Sequence, residues 1–310
     1  MVNPIFVHLR NHTEYSLCLG AIKLKKMIAK AKEYNMPAVA ITDTGNMFGA
    51  LEYSLAASKE GIQPIIGCEL LLEADEFFDD SKSEREKNFS KIVLLAQTDE
   101  GFYNIVDLDS NIFLKRQNGI APHINFEWLK NKNSGIICLT GGCEGLIGKL
   151  LLKGKKNEAE KALLELKEIF GDRLYIELLR HGLKDEVDTE KDFIDLAYKH
   201  NIPLVATNDC HFLTKDMFKA QDVLSCISEG RYITETNRKR QTPEHYFKSP
   251  EEMVTLFADI PEAIENTINI AKRIHTMAYT RKPTLPHFQL PEGMTEADYM
   301  RKLSVEGLER

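Results

Sequence analysis

The sequence has no apolar run near the ~18 residues that a membrane-spanning helix needs. Its opening, MVNPIFVHLRNHTEYS, lacks the basic stretch and following apolar stretch of a secretory leader. A cytoplasmic protein with no membrane partner is expected. Cys18, Cys68, Cys138, Cys143, Cys210 and Cys226 form no CxxC pair, which excludes a zinc ribbon. In a reducing compartment they read as small buried hydrophobes. Positive charge is not in excess: 40 Lys+Arg against 47 Asp+Glu leave −7, so the chain by itself is no strong nucleic-acid binder. No GxGxxG follows the first apolar run, which argues against a dinucleotide-binding sheet. What is present is ordinary globular material, 43% hydrophobic and 28% charged, enough for a large core. At ~150 residues per domain the length suggests two units, although an α/β barrel uses ~250 as one.

Short apolar runs at 5–10, 38–42, 64–72, 92–96, 135–139, 174–178 and 203–206 read as strands covered on both faces. Helical periodicity lies between them at 24–34, 50–59, 101–114, 157–170 and 184–200. Seven strands alternating with helices predict parallel pairing and a (β/α) barrel, with an open doubly wound sheet as the alternative. Residues 73–90 are charge-dense and aperiodic, hence an exposed loop or hairpin tip. Arg238-Lys239-Arg240 reads as a solvated loop. Helices are expected at 250–257, 260–274 and 296–310, and the prolines at 283, 286 and 291 break the chain between the last two. A domain boundary falls near 276–280, and the chain reads as cut from something longer.

In a parallel barrel, chemistry sits where the strands end. Those ends here carry His12, Asp43-Thr44, Gly142-Cys143, His181 and Asp209-Cys210-His211. Glu69 stands inside an otherwise apolar strand, and a buried carboxylate is costly unless paired or metal-bound. The set suits a metal site or a buried charge network. Residue by residue the plainer readings are a turn cap for Asp43, a packed histidine for His12 or His211, and an ion pair with Arg10 for Glu69.

FVHLRNHTEYSLCLGA, AVAITDTGNMFGALEY, GIQPIIGCELLL, LTGGCEGLIGKLL and PLVATNDCHFL, in that order, resemble the polymerase-and-histidinol-phosphatase (PHP) domain. In particular they resemble the one that opens bacterial replicative, C-family DNA polymerase III alpha subunits. The stretch FADIPEAIENTINIAKRI and the proline-rich crossing after it match the same subunits. The resemblance implies a distorted seven-stranded barrel over 1–276 and the start of the polymerase palm over 277–310. For the whole subunit it implies DNA-directed DNA synthesis with Mg, on palm carboxylates beyond residue 310. This fragment would then be inactive as a polymerase. It further implies replisome partners, a separate proofreading exonuclease subunit foremost, and DNA bound through the full-length subunit.

Active PHP domains hold three metals on a set of histidines and acids. Here His12, Glu69, Asp209 and His211 keep that pattern. Arg10 replaces the first histidine, Leu19 an acid, Thr44 the loop histidine, Lys91 the strand-four histidine and Gly142 a cysteine, with Cys143 one residue off. Arginine cannot release its proton to ligate a metal and lysine rarely does. The expectation is a metal-free, catalytically silent barrel in which Arg10 and Lys91 neutralise Glu69 and Asp209. The alternative is a working 3′–5′ exonuclease or phosphoesterase, with zinc or manganese on His12, Glu69, Asp209 and His211 and with His8, Asp43 or His181 recruited. A free-standing histidinol phosphatase is disfavoured by the C-terminal stretch.

Overall fold

The computed structural model describes residues 5–78, 88–116, 119–235, 237–238, 240–286 and 288–309. In chain order it holds α1 (Leu24–Glu33), β1 (Ala38–Thr44), α2 (Ala50–Lys59), β2 (Gln63–Glu73), β3 (Phe89–Ala96), α3 (Asp99–Leu114), α4 (Phe126–Asn131) and β4 (Ile136–Leu139). Then come α5 (Leu146–Leu152), α6 (Lys156–Phe170), β5 (Leu174–Leu178), α7 (Lys184–His200), β6 (Leu204–Ala206), α8 (Phe218–Glu229), α9 (Pro250–Leu256), α10 (Pro261–Arg273) and α11 (Glu296–Leu308). No helix among the described residues is long and apolar enough to cross a membrane.

The strands form one curled six-stranded sheet in the order β1-β2-β3-β4-β5-β6. Alternation sorts their side chains. Ala38, Ala40, Ile65, Val93, Leu95, Ile137, Leu139, Tyr175 and Val205 fill the concave side, joined by Ile270, Ala271 and Ile274 at the end of α10. The opposite side meets the surrounding helices in a larger cluster that includes Leu70, Leu94, Leu163, Phe170 and Phe257. Each fully buried Val, Leu, Ile or Phe among these is worth ~1.5–3 kcal/mol, so both faces are held mainly by apolar burial.

Two expectations need correction. β3 runs antiparallel to both β2 and β4, whereas β1–β2, β4–β5 and β5–β6 are parallel. The β2–β3 link contains only a 3-10 turn (Asp75–Phe77) among the described residues. A parallel neighbour needs a long crossover connection, and the described part of this link supplies none. Half of the loop expected at 73–90, residues 79–87, lies outside the described residues. The second correction concerns the strand expected at 5–10, which does not form as such, so the strands among the described residues number six. On one side Ala40 N donates to His8 O (2.8 Å) and Thr42 N to Asn11 O (3.0 Å). On the other, Cys210 N donates to Arg10 O (3.1 Å) and His12 N to Cys210 O (2.8 Å). Lower down, α10 intervenes: Val7 N donates to Thr267 Oγ1 (3.2 Å) and Asn266 Nδ2 to Leu204 O (2.8 Å). Those side chains take the bonds that a ladder with β6 would use.

The chain divides into two compact units, Met1–Tyr279 and Thr280–Arg310. In the first, residues 275–279 are tied down: His275 N donates to Gln97 O (2.9 Å) and Ala278 N to Ser54 Oγ (3.0 Å). In the second, α11 is capped by Thr295, whose Oγ1 accepts from Asp298 N, and no residue of the helix is buried.

Candidate functional site

The concave face becomes polar at one rim of the sheet. On β1 the inward positions run Ala38, Ala40, Thr42, Thr44, and on β2 they run Ile65, Gly67, Glu69. On β5 Glu177 follows Tyr175 with the same period. The parallel register places Thr44 beside Glu69. β3 is reversed, so its beginning rather than its end reaches this rim, bringing Lys91. Arg10 and His12 arrive from the first segment. Asp209 and His211 arrive from the segment after β6. Asp209 sits at φ +38, a left-handed conformation that a non-glycine residue holds only when its surroundings impose it.

The centre is a buried ion cage around Arg10. Its Nη2 lies 2.6 Å from Glu69 Oε2 and its Nη1 3.0 Å from Glu177 Oε2. Its Nε lies 3.1 Å from Asp209 Oδ1, close enough for charge attraction though without hydrogen-bond geometry. His12 Nε2 lies 2.8 Å from Asp209 Oδ1 and 3.5 Å from Glu69 Oε2. Lys91 Nζ lies 3.1 Å from Glu69 Oε1 and 2.9 Å from Glu144 Oε2. Glu69, Glu177 and Asp209 thus face the cations Arg10, His12 and Lys91.

Burial opposes every charge here, so the partners decide each ionisation. Burial would raise the Glu69 carboxyl, but Lys91, Arg10 and His12 outweigh it and hold it well below the usual carboxylate range. Asp209 is likewise held low against burial by Arg10 and His12. Burial lowers His12, yet Glu69 and Asp209 bring it up to about 9. Glu177 stays above its ordinary value because burial exceeds the pull of Arg10. Burial, then the neighbouring His12 charge, lowers His211, which stacks on His12 at 4.4 Å.

The remaining expected residues fall around this cage. Thr44 Oγ1 lies 3.2 Å from His12 Nδ1 and 3.4 Å from Glu69 Oε1. Asp43 stays outside, accepting from Thr13 N (2.7 Å), Thr13 Oγ1 (2.7 Å) and Ser16 Oγ (2.6 Å). Ser16 Oγ is also 3.3 Å from His12 Nδ1, so Asp43 steadies His12 through one hydroxyl. Gly142, at φ +59, brings no side chain; a Cβ there would stand 2.5 Å from Leu179 Cδ1. His8 turns away to Lys248 O at 2.8 Å. His181 is engaged by Glu186 Oε1 (2.6 Å) and Asn208 O (2.7 Å) and stacks on His245 at 3.7 Å. A cavity of about 510 Å³ opens above the cage, lined by Leu19, Lys91, His181, Asp209, His211 and His245 among others. The basic loop is not simply solvated: Arg238 and Arg240 both donate to buried Asp222, at 2.5 and 2.7 Å. Lys239 lies outside the described residues.

His12, Asp209 and His211 offer three ligand atoms within 4.8 Å of one another, a donor set of the kind zinc takes. His211 is set up for such a role, since its Nδ1 donates to Leu19 O (3.1 Å) and leaves Nε2 toward Asp209 Oδ1 (3.6 Å). His12 is not. Its Nε2 is turned to carboxylate oxygens as a proton donor, and Arg10 already lies against the same Asp209 oxygen. A metal in that triangle has to displace a proton and compete with a guanidinium.

Sequence reasoning missed Glu177. It carries the same signal as Glu69, a lone carboxylate inside the apolar strand LYIEL, and its Oε1 also accepts from Thr207 Oγ1 at 2.5 Å.

The family model described as PHP domain matches residues 8–181, which takes in Arg10, His12, Glu69, Lys91 and Glu177. The DNA polymerase III alpha subunit of Caulobacter vibrioides is 41% identical over 303 residues, covering 98% of this chain and 26% of that protein. That of Borreliella burgdorferi is 37% identical over 308 residues, covering 98% of this chain and 27% of that protein. The chain thus spans about a quarter of the length of these curated relatives, in their N-terminal part. Among solved structures, an amidohydrolase from Chromobacterium violaceum superposes with a TM-score of 0.42 at 15% identity, covering 66% of this chain and 87% of the other. With the family model spanning most of the sheet and the cage residues Arg10, His12, Glu69, Lys91 and Glu177 at its rim, the chain belongs to the PHP domain family.

Proposed function

We propose that this chain is the PHP region of a cytoplasmic replicative DNA polymerase III alpha subunit, and that its own site is metal-free and catalytically silent. On this reading residues 1–276 form the PHP domain as a distorted barrel, closed by the segment at 5–12. Residues 277–310 enter the palm. DNA synthesis, with Mg, belongs to the remainder of the subunit. The PHP region gives structural support and a docking platform for replisome proteins, a separate proofreading exonuclease first among them. The observation that carries the silent-site reading is the Arg10 guanidinium, which contacts Glu69, Glu177 and Asp209 together. Arg10, His12 and Lys91 face Glu69, Glu177 and Asp209, with Lys91 shared with Glu144, so little negative charge is left for metals to neutralise. Phosphoester cleavage by such sites relies on metals clamping the attacking and leaving oxygens.

The second reading, a metal-dependent 3′–5′ exonuclease or phosphoesterase, draws on the His12–Asp209–His211 triangle and the orientation of His211. A nuclease assay on single-stranded and mismatched-end DNA with manganese or zinc separates the two. The silent-site reading expects no cleavage above that of the His12→Ala/Asp209→Ala variant. Cleavage that this variant abolishes establishes the other.

A further inference from the structure

The cavity above the cage, about 510 Å³, is large enough for a small organic molecule. Its charge follows from which lining groups are already spent. Asp209 faces Arg10 and His12, and Glu186 is taken by His181. Lys91 lies between Glu69 and Glu144, Arg240 is held by Asp222, and Lys184 by Asp188. Two lining charges are left over. Asp185, in the first turn of α7, and Glu229, the last residue of α8, make no side-chain hydrogen bond or ion pair among the described residues. Both are carboxylates, and both line this one cavity.

The hydrogen-bonding capacity left over leans the same way. Ser225 Oγ donates to Gln221 Oε1 at 3.4 Å and can still accept, and the Gln241 side chain is unbonded among the described residues. Free acceptors therefore outnumber free donors. Leu19, Leu179 and Leu183 add apolar wall. A phosphate group needs free cations or N–H donors, which this lining does not offer. Ammonium groups joined by methylenes match both its charge and its apolar surface.

We propose that this cavity binds an aliphatic polyamine, with its ammonium groups on Asp185 and Glu229 and its methylenes on the leucines. The proposal rests on the metal-free reading above, because metals in the cage would draw anions instead. A ligand held only by the folded state stabilises it by mass action, so the stability of the region follows the polyamine concentration.

Spermidine is titrated onto the full chain by calorimetry, with metal content measured on the same sample. Saturable one-to-one binding that weakens with added salt is expected. Methylammonium, with one charge and no chain, should bind at least about tenfold more weakly. Asp185→Asn/Glu229→Gln should weaken spermidine binding at least about threefold, the loss of two exposed charge pairs. This variant should keep the ligand-free melting midpoint, because both side chains are exposed. Glu76→Gln/Glu127→Gln removes the same net charge at exposed positions outside the cavity and should bind as wild type. Absence of saturable binding, undiminished binding by Asp185→Asn/Glu229→Gln, or equal loss in both double variants overturns the proposal and leaves the metal-free reading standing. Inorganic phosphate binding in preference to spermidine overturns the stated chemistry. Stoichiometric metal in the sample overturns the metal-free reading and this proposal with it.

Discussion

Arg10→Ala removes the cation that three buried carboxylates share. Glu69, Glu177 and Asp209 are then left in a nearly water-free environment with only His12 and Lys91 nearby. Removing one partner from a buried ion pair typically costs about 3–5 kcal/mol. At about 2–4 °C per kcal/mol for a domain of this size, the melting midpoint should fall by about 6–20 °C at pH 7. The pH dependence has a definite sign. Glu69 and Asp209 are held below their ordinary range by neighbouring cations that overcome burial. Such groups stabilise the fold fully above the unfolded carboxyl pKa of ~4, and the stability is lost as pH falls through their folded values. Without Arg10 burial prevails and the folded carboxyls take up protons more readily. The difference between wild type and Arg10→Ala should therefore shrink as pH is lowered toward ~4. Arg10→Lys should fall between the two, because one ammonium cannot reach three carboxylates as a planar fork does. Differential scanning calorimetry across pH 4–8 reads all of this. A wild-type midpoint for Arg10→Ala at pH 7, or a deficit that does not change with pH, refutes the reasoning.

Three further outcomes follow from the same geometry. His12 is raised to about 9 by Glu69 and Asp209 against burial; its stabilisation is full below ~6.5 and lost as pH rises through about 9, so His12→Gln should flatten the wild-type decline in urea stability over that window. Arg10→His removes the guanidinium from Asp209 and adds an imidazole beside the triangle, so the variant should bind zinc stoichiometrically by calorimetry where the wild type does not; equal behaviour of the two counts against the cage as the barrier to metal. Gly142→Ala, forced to φ +59, should cost about 1–2 kcal/mol in urea unfolding, and an unchanged midpoint would show that this backbone relaxes.

Much of the site was legible because its signals are local. A carboxylate in the apolar run GCELLL has to be compensated, and Arg10 compensates it. The meeting of His12 with His211 needs only that the first segment and the segment after β6 be neighbours, which the Asn11–Cys210 bridge makes them. Glu177 shows the same logic applied once too few, since LYIEL offered the signal that GCELLL did. The direction of β3 was hidden for a different reason. Apolar content marks a strand covered on both faces but not its direction, which the pairing with β2 and β4 sets. The segment at 5–10 has a strand's composition, yet its lower half is satisfied by Thr267 of α10, a partner 260 residues away. Helix α8 escaped because periodicity reasoning looks for an apolar buried face, and this helix buries glutamine, aspartate and serine.

The most direct test of the cage is elemental analysis of the chain purified without chelator, paired with its melting midpoint before and after EDTA. Side-chain cations standing in the place of metals predict no stoichiometric zinc, manganese or iron and no change of midpoint. One or more equivalents of metal, removed by EDTA with a fall in stability, would contradict it.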